Sequence, residues 1–181
     1  MSDKHTFRYV NDWQRLDPDD GKAILAMWRR DTAMTGSHDV EERLAQVAAH
    51  VVDEQGRIAA VATVDPNLAP RLRQPMYFYR CFVARPYRDG KLVRPLLCYT
   101  REVLENYARA NDYPCIGIIM ELENPGFAAS MRWANWPKSN LSFIGFSPRG
   151  LEVRASYFRG ARLKTPQEMQ RLMKQFQKKT H

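Results

Sequence analysis

The chain has 181 residues, 44% of them hydrophobic and 27% charged, an ordinary globular balance that excludes wholesale disorder. No stretch approaches the roughly 20 apolar residues of a membrane span, and the opening MSDKHTFRYV lacks the apolar region of a secretory signal, so a cytoplasmic protein is expected. The 28 Lys and Arg outweigh 20 Asp and Glu, and the net charge of +8 draws anions without choosing between nucleic acid, an acidic carrier protein and a phosphorylated cofactor.

At this length one domain over 1–181 is expected, ending in the basic segment RLKTPQEMQRLMKQFQKKTH, 162–181, as a helix or tail. Phe7 to Val10 alternates as a short first strand. Asp17 then offers an N-cap with Pro18 at the first helical position, and Ile24, Leu25, Met27 and Trp28 give the helix one apolar face through about Arg30. Asp39 with Glu42 forms a capping box for a shorter helix through Val47. The segment AAHVVDEQGRIAAVATVD reads as an antiparallel hairpin, and the proline-bearing stretch Asn67 to Pro75 as a loop. Met76 to Ala84, MYFYRCFVA, is the strongest strand, with both faces covered.

A turn follows, then a helix on Leu92, Leu96, Leu97, Val103 and Leu104 to about Asn111, with Pro95 in its first turn placing the start near Arg94. Cys115 to Met120 completes a strand, helix, strand unit of the kind that sets two strands parallel. Phe127 to Trp133 is a short helix, Leu141 to Phe146 and Leu151 to Phe158 form a second hairpin, and Lys164 to Lys178 reads as a terminal helix. Cys81, Cys98 and Cys115 are odd in number, lack a CxxC spacing and sit among apolar residues, which favours buried thiols over a disulfide or a zinc cluster. His5, His38, His50 and His181 are dispersed without a metal spacing, and His50 on the first hairpin is the one expected near a cleft.

The turn between the strongest strand and its helix is the chemically loaded place. A helix start presents unsatisfied N–H groups with a favourable dipole, and Arg85, Arg88, Lys91 and Arg94 add cationic donors beside it. The order of elements, from Phe7 to Phe158, resembles the GNAT superfamily of acyl-CoA-dependent N-acyltransferases. In that family the turn carries Arg/Gln-x-x-Gly-x-Gly/Ala, after a valine-rich strand end and before a Leu-Leu pair; VARPYRDGKLVRPLL supplies Val83, Pro86, Tyr87, Arg88, Leu96 and Leu97 in that order. Asn124 in MELENPGFAAS and the pair Gly145-Phe146 match a second signature. Lys91 and Val93 fill the two small positions, and the glycine moves to Gly90; the family's acid tyrosine is replaced by Met131.

The resemblance implies an α+β (α/β) fold with a mixed, mostly antiparallel central sheet of about six or seven strands flanked by helices. It implies a cofactor, acetyl-CoA or another acyl-CoA, held by Phe82, Val83, Ala84, Arg88, Asp89, Gly90, Lys91, Leu92, Val93 and Asn124. Acyl transfer to a primary amine needs a base, for which Glu121 and Glu123 at a strand end are best placed, and an acid, for which Tyr157 is the candidate. Trp133 and Trp136, in an insertion before the last hairpin, are expected to cover a pocket or meet a partner. Acyl carrier protein is an alternative acyl donor, a homodimer stays open, and scattered basic residues disfavour nucleic acid. The competing reading is a noncatalytic GNAT-like binding module that uses its basic surface for nucleic acid or an acidic protein.

Overall fold

The computed structural model describes residues 6–31 and 37–177, with side chains described over 6–31 and 40–173. In chain order the elements are β1 Arg8–Asn11, α1 Pro18–Arg30, α2 Ser37–Ala45, β2 Val47–Val52, β3 Ile58–Ala69, β4 Gln74–Val83, a single 3-10 turn Arg85–Tyr87, α3 Val93–Ala110, β5 Gly117–Glu121, α4 Pro125–Ser130, β6 Asn135–Trp136, β7 Leu141–Phe146, β8 Glu152–Tyr157 and α5 Pro166–Gln177. The strands follow one another in the order β1-β2-β3-β4-β5-β8-β7-β6. β4 and β5 pair in parallel, Tyr77 with Ile118 and Phe78 with Ile119, while β1 with β2, β2 with β3, β5 with β8, β7 with β8 and β6 with β7 are antiparallel.

Eight strands replace the expected six or seven because the tryptophan insertion contributes the two-residue β6. The loop expected over Asn67 to Pro75 shrinks to the turn at 70–73, since β3 runs through Pro66 to Ala69. The β2 ladder reaches β3 only as far as Thr63, so the missing Pro66 N–H removes no bond to β2. The second helix ends at Ala45 rather than Val47, which opens β2 instead; the Asp39 side chain of the expected capping box lies outside the described side chains.

The chain divides into two compact units, Met1–Val64 with Arg80–Leu104 and Asp65–Tyr79 with Glu105–His181. In the first, Asp17 accepts the N–H groups of Asp19 and Asp20, Pro18 needs no partner at the first position, and Gly21, Ile24, Met27 and Trp28 form the buried stripe of α1. All six residues of β2 are buried, as are the first seven of β3, so these strands read as continuous apolar runs rather than alternations. In the second unit, Ala69, Met76, Ile116, Ile119, Val153 and Ala155 make one apolar cluster. There α5 opens with a reciprocal cap: Glu168 accepts the Thr165 N–H at 2.7 Å and Thr165 Oγ1 accepts the Glu168 N–H at 3.3 Å.

The cysteines form no disulfide, and Cys115 is buried as expected, whereas Cys81 and Cys98 are only half-buried. Of the tryptophans in the insertion, Trp133 is 69% exposed but Trp136 is 2% exposed and belongs to the core.

Candidate cofactor turn and candidate active site

The turn after β4 is built on the hairpin that precedes it. Ala84 donates its N–H to Ala59 O at 2.9 Å, which fixes the end of β4, and the chain then closes one 3-10 turn with the Tyr87 N–H on Ala84 O at 2.9 Å. Two buried carboxylates pin that turn. Asp31, the C-cap of α1, accepts the Arg85 N–H at 2.8 Å and Arg30 Nε at 3.0 Å. Burial pushes the Asp31 carboxyl up, but those hydrogen bonds outweigh it and hold the group below the usual carboxylate range. Asp53, in the β2–β3 turn, accepts the Tyr87 hydroxyl at 2.6 Å, the N–H groups of Gln55 and Arg57 at 2.9 and 2.8 Å, and Arg57 Nε at 2.7 Å.

Burial raises Asp53 as well, yet the Tyr87 hydroxyl and the Arg57 donors hold its carboxyl far below the usual range. A carboxyl depressed in the folded state contributes stability that is complete above its unfolded pKa of about 3.9 and is lost as pH falls through and below that value. Asp53→Asn should therefore cost about 2 kcal/mol at pH 7, with the gap to wild type closing between about pH 4 and pH 2 in urea titrations. A gap that stays constant across that range contradicts the assignment.

Past Tyr87 the turn opens to solvent: Arg88, Asp89, Gly90 and Lys91 are all exposed. Gly90 has φ +82°, and a Cβ there would meet nothing within 4 Å, so the glycine serves backbone conformation and leaves an open approach to the main chain. Among the described residues no hydrogen bond takes up the amides of Gly90 and Leu92, and the Val93 N–H, first in α3, has no partner within its helix. The basic side chains are less available than the amides. Arg88 Nε turns back onto Val83 O at 2.9 Å with its guanidinium 5.3 Å from the Phe82 ring centre. Lys91 is ion-paired with Asp89 at 2.9 Å, and Asp89 also accepts the Lys91 N–H at 3.0 Å. These contacts, the Lys91 N–H first, hold the Asp89 carboxyl below its ordinary pKa, so a negative charge stands inside the turn.

In the second unit Glu121 ends β5 and Glu123 follows it. Both reach one guanidinium: Arg149 Nη2, from the β7–β8 turn, lies 2.5 Å from Glu121 Oε2 and 3.1 Å from Glu123 Oε1. The two carboxylates raise the Arg149 pKa in turn, the hydrogen bond it donates to Glu121 being the larger cause. Asn124 caps α4, its Oδ1 accepting the Phe127 N–H at 3.1 Å. Tyr157 lies on β8 opposite Gly117 and is 44% exposed.

No family model matches the chain, and no curated protein matches it in sequence. Solved structures do match in fold. A GNAT-family acetyltransferase from Streptococcus pneumoniae superposes with TM-score 0.56 at 14% identity, over 84% of this chain and 99% of its own. The ribosomal-protein-S5-alanine acetyltransferase of Vibrio fischeri gives TM-score 0.57 at 10% identity, over 90% and 97% of the two chains. Arabidopsis thaliana NAA60 in complex with acetyl-CoA gives 0.53 at 11%, over 84% and 100%. The fold is that of the GNAT acetyltransferases.

The sequence resemblance puts Met131 where the family has its tyrosine. The Met131 carbonyl has a different task here: it accepts the Trp136 indole N–H at 2.9 Å and faces Arg154 Nη2 at 3.4 Å. Arg154 is a residue the sequence reading passes over. Only 2% exposed on β8, it binds Glu152 through Nε at 2.5 Å, faces Ala134 O and Leu141 O through Nη1 at 3.4 and 3.5 Å, and stands 4.4 Å from the Trp136 ring centre. One guanidinium thus organises the whole segment between α4 and β7.

Proposed function

We propose that the protein is an acyl-CoA-dependent N-acyltransferase whose turn 88–93 binds the cofactor diphosphate. The observation that carries this reading is the open backbone of the turn. The left-handed Gly90 and the uncommitted amides of Gly90, Leu92 and Val93 lie at the start of an 18-residue helix. That is the arrangement in which backbone donors and the helix dipole favour a phosphate. The chain departs from the family's glycines at Lys91 and Val93, of which Val93 is the first helical residue. Acetyl-CoA bound to a protein of the same fold supports the class of ligand.

In the proposed reaction the nitrogen of a neutral primary amine attacks the thioester carbonyl, the C–S bond breaks, and the products are an amide and a free thiol. The amine gives up a proton and the departing thiolate takes one. Glu121 and Glu123 are assigned the first task and Tyr157 the second. A carrier-borne phosphopantetheine lacks the adenosine diphosphate for which the turn is built, so CoA is favoured over acyl carrier protein as the donor.

Asp89 sets the affinity. Its carboxylate already holds the Lys91 N–H and ammonium, two donors a diphosphate would take, and it adds a like charge at the site. Removing a unit charge a few ångströms from a phosphate in a water-like surrounding is worth about 1 kcal/mol, roughly fivefold in affinity. Asp89→Asn should therefore bind CoA about fivefold more tightly than wild type, with the gain shrinking as salt rises. Calorimetric titration with acetyl-CoA, CoA and pantetheine tests both statements. The proposal requires CoA and acetyl-CoA to bind and pantetheine to bind far more weakly. No binding of either CoA species up to millimolar concentration overturns the enzyme reading in favour of the noncatalytic module. Tighter binding of double-stranded DNA with a steep salt dependence would give that module its ligand.

A further inference from the structure

Behind the first hairpin lies a second polar cluster that the acyl-transfer reading does not use. His50, in the middle of β2, is fully buried, and its Nδ1 is 2.6 Å from Oδ2 of Asp12, a residue just past β1 that is itself 2% exposed. A carboxylate at that distance holds the ring in the tautomer with hydrogen on Nδ1, leaving the Nε2 lone pair free to bind. Nε2 has no hydrogen-bond partner although it is buried. It points at the first turn of α1, where Asp20 Oδ2 stands 3.8 Å away, too far for a hydrogen bond. The Asp20 side chain is 40% exposed and opens the cluster to solvent. Among the described residues no Lys or Arg pairs with Asp12 or Asp20, so the two carboxylates have only His50 as a counter-group.

A buried orphan nitrogen facing a carboxylate, next to a second buried carboxylate with no cationic partner, calls for a positive charge between Nε2 and Asp20. We propose that His50 Nε2 and Asp20 bind one divalent transition-metal ion of the zinc class, with solvent completing its shell and Asp12 orienting the imidazole from behind. Zinc bonds to imidazole nitrogen and carboxylate oxygen run to about 2.0–2.2 Å, so one ion reaches both atoms across the 3.8 Å gap. A ligating histidine whose other N–H is donated to a carboxylate is the usual outer-shell arrangement of such sites. The nitrogen ligand selects against magnesium and calcium, which take oxygen. One ligand atom from each of Asp12, Asp20 and His50 lies within 4.8 Å of the others. Asp12 also lines a cavity of about 330 Å³ with Arg15, Glu41 and Leu44.

The site stands apart from the proposed acyl transfer, and its test is independent of it. The full chain, stripped with EDTA, is titrated with Zn2+ and with Co2+, following heat and the visible Co2+ spectrum. One ion per chain should bind reversibly and raise the melting temperature. Asp20→Asn removes a ligand from a half-exposed position, so the metal-free variant should melt with wild type but bind at least tenfold more weakly. Asp12→Asn should weaken binding about 10- to 100-fold through the outer shell. Asp20→Asn retains His5, His38 and His181, so binding that this variant leaves unchanged belongs to those residues and overturns the proposal. Absence of binding up to millimolar metal overturns it too.

Discussion

Replacing Arg154 by alanine is expected to cost about 3–5 kcal/mol of stability, the usual penalty for removing one partner of a buried ion pair. The guanidinium is the single donor group that meets Glu152, approaches the carbonyls of Met131, Ala134 and Leu141, and lies over the Trp136 ring. Without it the Glu152 carboxylate, whose side chain is 17% exposed, loses its partner, and Trp136 loses one wall of its site. Arg154→Lys should recover little, because an ammonium cannot present several donors in one plane or stack on indole. Arg154→Met should recover more than lysine, by filling the volume without a buried charge, if Glu152→Gln is made with it. Denaturant midpoints read both effects. An Arg154→Ala protein within 1 kcal/mol of wild type would show that the network contributes packing order and little energy.

The reason this residue escapes a sequence reading is instructive about the whole second unit. In Glu152 to Tyr157 the polar side chains alternate with Val153 and Ala155, a pattern that marks a strand with one wet face. Yet Arg154 and Ser156 are 2% and 1% exposed, so β8 is covered on both sides, one by apolar packing and the other by the folded insertion. Alternation reports that two faces differ, not that one of them is in water. Trp136 follows the same logic: an aromatic in a polar, proline-bearing segment reads as exposed until Arg154 and Phe127, whose ring centre is 5.4 Å away, supply its partners.

The first unit was more legible, for physical reasons that can be named. Asp17-Pro18 fixes the start of α1 by local chemistry alone, and Pro95 within the first turn of α3 does the same for that helix. The location of the turn after β4 follows from the same local signals. What holds the turn does not, because Asp31 and Asp53 lie 54 and 34 residues away from the groups they bind. Gly90 shows the limit from the other side. Its displacement from the family spacing reads as loss of a glycine turn, yet at φ +82° the turn of this chain does contain a left-handed glycine. Of the His50 cluster only His50 itself stood out in the sequence, because its partners come from just past β1 and from the first turn of α1, far from the middle of β2 along the chain.

Gly117→Ala should be the most damaging single methyl in the protein, costing more than about 3 kcal/mol, as a core overpacking that backbone must absorb. Gly117 opens β5 opposite Tyr157 of β8, and a Cβ there would lie 2.3 Å from the Ser156 carbonyl oxygen and 2.9 Å from Tyr157 Cα. A flexible side chain could swing aside; main chain in an antiparallel ladder cannot without breaking the register that runs from Gly117 to Glu121. That register sets where Glu121 leaves the sheet, so the same methyl should disturb the pairing of Glu121 with Arg149. Gly90→Ala is the matched control. There the added carbon meets nothing within 4 Å and only the left-handed φ is charged for, about 1–2 kcal/mol. If steric conflict with backbone is what makes Gly117 irreplaceable, the two variants separate clearly in urea midpoint, and amide exchange along β5 and β8 accelerates in Gly117→Ala alone. Equal midpoints would overturn the claim that backbone contact makes Gly117 irreplaceable.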